Sequence, residues 1–228
     1  MTNPSAGATL QEVRIPAGPA WLYGDLGLPR EPRGVVLFAH GSGSGRHSAR
    51  NRQVARALER AGFATLLFDL LTVEEERIDA ATRQHRFDIA LLTRRMETAV
   101  AWARTVDATR HLPLGLFGAS TGSAAALIAA AQLGRHVAAV VSRGGRADLA
   151  GPAALAEVTA PTLLIVGGAD DTVLRLNEQA LGFLRGTRDL AIVPGATHLF
   201  EEPGALERVS ELAAGWFGRH LQPAEHPA

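Results

Sequence analysis

Six short runs of apolar residues, at 34–39, 63–68, 114–117, 137–141, 162–166 and 190–193, constrain this chain more than anything else in it. A strand with one face in water alternates polar and apolar residues. An unbroken apolar run instead reads as a strand covered on both faces. Between the runs, apolar residues recur at helical spacing. Ile89, Leu92, Met96, Ala99, Val100 and Ala103 share one face of a helix expected over 86–106, and Leu206, Val209, Leu212, Ala213, Trp216 and Phe217 share another near the end. Residues 53–61 read as a shorter helix, closed by Gly62 where a left-handed residue is favoured. Buried strands alternating with helices imply an α/β fold with a doubly wound, mostly parallel sheet. Residues 13–28 differ. Val13, Ile15, Trp21, Tyr23, Leu26 and Leu28 alternate with polar residues around Pro16, Gly18 and Pro19, which reads as an antiparallel hairpin at a sheet edge.

At 228 residues the chain is long enough for one full-sized domain, expected over 11–220 with tails at 1–10 and 221–228. Its formal net charge is zero, so no global field favours nucleic acid or an anionic membrane. There is no cysteine, which excludes disulfides, thiolate metal sites and a cysteine nucleophile. No metal or cofactor is expected. The first residues lack a basic start followed by an apolar core, and no apolar run approaches bilayer length, so a cytoplasmic protein is expected. Only about twenty residues, 142–161, separate the fourth and fifth buried runs. They leave no room for a large cap domain, so the pocket should be open and suited to short acyl groups. Residues 70–86 read as a solvated loop with a short helix.

In open α/β sheets, ligands bind beyond the carboxyl ends of the strands. Past the first run lies a glycine-rich loop, His40-Gly41-Ser42-Gly43-Ser44-Gly45; past the third lies Gly118-Ala119-Ser120-Thr121-Gly122. Gly-x-Ser-x-Gly between a strand and a run of small residues is a nucleophile elbow, a strained turn that lifts a serine hydroxyl above the sheet. The fifth run leads to Gly167-Gly168-Ala169-Asp170-Asp171 and the sixth to Pro194-Gly195-Ala196-Thr197-His198. Serine, acid and histidine in that order, each just past a strand end, can form a nucleophile, its orienting acid and its base. Ser120 is the candidate nucleophile and His198 the base. Asp170 is the acid nearest its strand end; Asp148 is its competitor, and Asp171 is expected to cap the following helix. Asp69 is expected to hold the backbone near the sheet end, and His40 to pack or hydrogen-bond within the glycine-rich loop; His47 could line the site. The backbone amides of Thr121 and Ser42 are the candidate oxyanion donors. The glycine-rich loop has neither the Lys-Ser/Thr ending of a phosphate loop nor dinucleotide spacing, which argues against nucleotide binding.

Together, residues 38–45, 118–122, 167–170 and 194–200 make the chain resemble the dienelactone-hydrolase-like group of the α/β-hydrolases over about 20–218. The resemblance implies a serine hydrolase that cleaves esters through an acyl-enzyme, with Ser120, Asp170 and His198 as its triad. One departure matters: dienelactone hydrolases proper carry a cysteine at the elbow. A carboxylesterase for short-chain esters is therefore the leading expectation. Thioester hydrolysis or acyl transfer on the same residues, and a non-catalytic small-molecule receptor, are the alternatives. Arg46, Arg50, Arg52, Arg143 and Arg146 cluster in loops at the expected rim. Arg46, Arg143 and Arg146 either grip a substrate carboxylate or pair with Asp69 and residues 74–76 as scaffolding.

Overall fold

The computed structural model describes residues 8–222. The hairpin forms as β1 (Thr9–Ala17) and β2 (Ala20–Leu28), with Gly18 at φ +69° supplying the turn. Its first strand is longer than the sequence suggests, because Thr9 pairs opposite Leu28 and takes Thr9 and Leu10 out of the expected tail. Residues 1–7 and 223–228 of the two expected tails lie outside the described residues. Leu221 belongs to neither tail; its side chain is buried among Val36, Phe63 and Phe217.

The six apolar runs become β3 (Val35–Ala39), β4 (Ala64–Phe68), β5 (Leu114–Ala119), β6 (Ala139–Arg143), β7 (Thr162–Gly167) and β8 (Arg188–Val193). All eight strands form one sheet in the order β1-β2-β4-β3-β5-β6-β7-β8, antiparallel at β1–β2 and β2–β4 and parallel from β4 onward. Between and after them run α1 (Ala49–Arg60), α2 (Val73–Thr82), α3 (Ile89–Ala103), α4 (Thr121–Leu133), α5 (Gly151–Glu157), α6 (Asp171–Phe183) and α7 (Ala205–His220).

Two apolar cores follow from this winding. On one face, Val54 and Leu58 of α1 and Val209, Trp216 and Phe217 of α7 cover Val36, Phe38 and Phe117. On the other, Leu92, Met96 and Val100 of α3, with the alanines of α4, cover Leu37, Leu66, Leu116 and Val140. Every strand residue from Val35 to Ala39 and from Leu114 to Ala119 is buried, which is why those segments carry no alternation. α4 is buried on most sides, and its small residues let it lie close to the sheet.

Two helical or strand elements, α1 and β6, start away from where the sequence placed them. α1 begins at Ala49, four residues early, because the Ser48 hydroxyl caps it by accepting from the Asn51 amide. The short helix expected within 70–86 is α2, ten residues long and opened by a reciprocal Thr72–Glu75 capping box. β6 sits two residues later than its apolar run, so Arg143 ends a strand and is buried. Residues 142–161 hold only short helical segments and no cap.

The winding reverses at β3. From it the chain crosses through α1 to β4 on one side, and later reaches β5 on the other. The ends of β3 and β5 therefore lie side by side at the switch point, where an open α/β sheet forms its crevice.

Candidate active site

Ser120 is one of three described non-glycine residues with positive φ, at φ +51° and ψ −123°. That conformation costs of order 1–3 kcal/mol for a residue with a side chain and persists only where the surroundings enforce it. Here they do. A Cβ on Gly118 would strike the backbone of Ser123 in α4, and one on Gly122 would strike the carbonyl oxygens of Ala39 and His40 at the end of β3. With both glycines in place, α4 starts directly after the strand and the turn must be tight. The Ser120 amide donates to the Arg143 carbonyl at 3.3 Å, and its own carbonyl accepts from the Ser123 and Arg146 amides at 3.0 Å.

His198 follows β8 in a turn held by Glu202, whose carboxylate accepts from the Thr197 amide at 3.0 Å and the Thr197 hydroxyl at 2.5 Å. The imidazole packs beside Gly144, where an added Cβ would lie 3.7 Å from its Cε1. Its Nδ1 donates to Asp170 Oδ2 at 2.8 Å, which leaves Nε2 as the basic nitrogen of the neutral ring. Asp170 has a second duty, since its Oδ1 accepts from the Val173 amide at 3.3 Å and caps α6. The cap assigned to Asp171 from sequence thus belongs to Asp170. Asp148 is elsewhere, gripping Arg146 through two 2.8 Å hydrogen bonds.

Ser120 and His198 line the same cleft, of about 250 Å³. Ser42 also lines it, and the loop around Gly41 passes close over the serine, where a Cβ on Gly41 would stand 3.1 Å from Ser120 Cβ. The Ser42 amide and the first-turn amide of Thr121 have no acceptor among the described residues. No hydrogen bond joins Ser120 to His198 among those residues.

The glycine-rich loop is supported from beneath. His40 is buried; its Nδ1 donates to the Gly41 carbonyl at 2.9 Å and its Nε2 accepts from the Leu70 amide at 3.0 Å. Burial pushes its pKa below the usual histidine value, outweighing the Gly41 hydrogen bond and the nearby carboxylates. Asp69 accepts from the Arg46 amide at 2.8 Å, the structural role expected of it. Arg86 reaches the loop from the other side, with its Nη1 3.2 Å from where a Cβ on Gly43 would stand, and pairs with buried Asp79 at 2.6 Å. Asn177 of α6, wholly buried, donates to the Gly145 carbonyl at 2.8 Å and steadies the segment after β6.

The arginines separate into kinds. Arg46 is scaffolding, paired with Glu12, Asp25 and Asp69, and residues 74–76 play no part in it. Arg146 is held by Asp148 and Arg52 by Asp25. His47 lies outside the cleft, lining a neighbouring hollow and bonded to Arg52. Arg143 does line the cleft, together with Arg50 and Asn51 of α1. Sequence reasoning placed no role on Asn51 or on the start of α1; Ser48 as a cap residue was the signal available for it. Among the described residues, no group of three or more His, Cys, Asp or Glu side chains could hold a metal ion, and no helix is long and apolar enough to cross a membrane.

The profile of a family described as an alpha/beta hydrolase domain matches residues 32–211. A crystal structure of a dienelactone hydrolase from Anabaena variabilis superposes with a TM-score of 0.93 at 54% identity, covering 95% of this chain and all of that one. Est1E from Butyrivibrio proteoclasticus superposes with a TM-score of 0.76 at 16% identity, over 94% of this chain and 98% of its own. A Mycobacterium tuberculosis protein provisionally named a phosphoribosyl transferase is 58% identical over 211 residues. That stretch is 92% of this chain but 46% of the relative, so the chain spans about half the length of that protein.

Proposed function

The chain belongs to the α/β-hydrolase family, and from that premise we propose that it is a serine hydrolase cleaving short-chain carboxylic esters through an acyl-enzyme. The observation that carries the proposal is the Asp170–His198 hydrogen bond beside a cleft that His198 lines together with a strained Ser120. In this reading Ser120 Oγ attacks the ester carbonyl carbon while its proton passes to His198 Nε2. Asp170 keeps the proton on Nδ1 and stabilises the imidazolium. The oxyanion that develops is met by the amides of Thr121 and Ser42, the first at the positive end of α4. Collapse of the intermediate breaks the carbon–oxygen bond to the alcohol, which leaves with the proton from His198. Water then enters, gives a proton to His198, and releases the acid with Ser120 restored.

The short interval after β6 favours small, exposed esters, because no cap encloses a long chain. The dienelactone hydrolase name belongs to the relative; here the elbow carries a serine. The phosphoribosyl transferase name belongs to a protein more than twice as long as the matched stretch. A fluorophosphonate probe tests the reading. Wild type should label and Ser120→Ala should not; equal labelling of the two would refute it.

A further inference from the structure

Arg143 stands apart from the other covered arginines. Its residue is only 8% exposed, and its Nε and Nη1 are buried with no hydrogen-bond partner among the described residues. Arg46, Arg86 and Arg95 have side chains comparably covered, at 13%, 21% and 16% exposed, and each is matched by a carboxylate. Leaving a buried charge unmatched costs several kcal/mol, so folding alone gives no reason to place one here. Burial, with the like charge of Arg50 adding to it, lowers the pKa of Arg143 to about 10, so it remains a cation at neutral pH.

Its position is specific. Arg143 pairs with Ala119 across the sheet and accepts the Ser120 amide on its carbonyl, one strand from the serine. The cleft it lines contains no aspartate or glutamate. The cleft is also lined by Ser48, Arg50 and Asn51 at the start of α1, a twelve-residue helix with no acidic residue in its first turn. A helix start carries unpaired amides and about half a positive charge, which is where an anion is held. Arg50 adds a second guanidinium; its Nη1 is tied to Glu201 and its Nε is buried without a partner. An unmatched guanidinium on Arg143, a second on Arg50 only partly matched by Glu201, and a helix start leave an oxyanion's worth of binding unfilled beside the serine.

We propose that the substrate is a short ester that itself carries an oxyanionic group, a carboxylate or phosphate, gripped by Arg143 and the first turn of α1 while Ser120 attacks the ester carbonyl. The proposal rests on the hydrolase reading, but the anion site can be tested without turnover. Kinetics would compare the 4-nitrophenyl monoester of succinate and 4-nitrophenyl phosphonoacetate with neutral 4-nitrophenyl butyrate. Wild type should prefer at least one anionic ester by about tenfold or more in kcat/KM. Arg143→Gln should lower that ratio by about 10- to 100-fold, the worth of a charge-assisted hydrogen-bond pair. Arg143→Lys, which keeps the charge and loses the fork, should lower it less. Arg50→Gln should also lower it, and it serves if Arg143→Gln does not fold. Calorimetry on Ser120→Ala protein with succinate and with inorganic phosphate should give binding that weakens about 10-fold or more when Arg143→Gln is added. The better of the two probes identifies the anion. A wild-type preference for the neutral ester, a ratio unchanged by all three substitutions, or anion binding indifferent to Arg143 would overturn the proposal. Anion binding that depends on Arg143 in a protein that hydrolyses none of the esters would instead sink the hydrolase reading and leave the anion site standing.

Discussion

The double duty of Asp170 makes a single-atom substitution unusually informative. One carboxylate oxygen accepts from the Val173 amide and caps α6, and the other accepts from His198 Nδ1. In Asp170→Asn the two ends of the side chain are no longer equivalent. Turning the amide nitrogen toward Val173 would set donor against donor, so the cap holds the oxygen on Val173 and the NH2 group toward His198. The imidazole must then present its lone pair at Nδ1 and carry its proton on Nε2, which removes the base from the serine. Asparagine caps a helix about as well as aspartate, so the stability cost should stay under about 0.5 kcal/mol. For a chain of this size that is about 1–2 °C in Tm. The loss of the correct tautomer should lower kcat/KM by about 10⁴-fold, or about 5.4 kcal/mol of transition-state stabilisation. Asp170→Ala should lose activity similarly and in addition the cap, about 1 kcal/mol and about 2–4 °C. Hydrolysis of 4-nitrophenyl butyrate and a thermal melt on the three proteins give both numbers. An asparagine variant within tenfold of wild type would refute the reasoning, and so would an equal fall in Tm for the two substitutions.

Asp148→Asn should change kcat/KM by less than about threefold, since its carboxylate serves a partly exposed pair with Arg146; a larger loss than Asp170→Asn causes would move the orienting acid to Asp148. Gly122→Ala drives a methyl group into two backbone carbonyls at the end of β3, and a melt should show at least about 2 kcal/mol lost, or about 4–8 °C. Gly182→Ala is its counterpart: it lies in α6 with nothing near its missing Cβ, and about 0.5–1 kcal/mol of added stability is expected. The pKa of His40 is lowered by burial, so the unfolded chain binds a proton there that the folded one refuses. Denaturation across pH 5–8 should therefore show stability falling as pH drops through about 6.5, with a shallower fall in His40→Gln.

The buried strands were legible because a parallel strand covered on both faces has no alternation to confuse it, and the β3 and β5 runs match their strands to within a residue or two. The elbow was legible because Gly118 and Gly122 meet backbone rather than movable side chains, which leaves their identity no freedom. Asp170 and His198 were reachable from their places after strand ends, and they are found hydrogen-bonded. What escaped was decided by other segments. Nothing local distinguishes Arg46, which meets Glu12, Asp25 and Asp69, from Arg143, which meets none. Their difference depends on the hairpin folding back over one of them and on β6 ending two residues later than its apolar run. The start of α1 was missed because the residues after Ser48 are polar and give no apolar period, although the capping serine was in view.

The contact of Gly122 with the end of β3 has a consequence for how such a site diversifies. Because the start of α4 abuts the carbonyls of Ala39 and His40, the segment bearing the serine and the segment bearing the glycine-rich loop cannot drift apart by accumulated small changes. On the proposed reading, the nucleophile and its oxyanion donors are therefore inherited as one block. The anion grip we propose is built from separate side chains, those at the opening of α1 and at the last residue of β6. A laboratory library confined to positions 49–51 and 143 would test that separation: on the proposed reading, substrate preference changes while Ser120 stays reactive toward a fluorophosphonate.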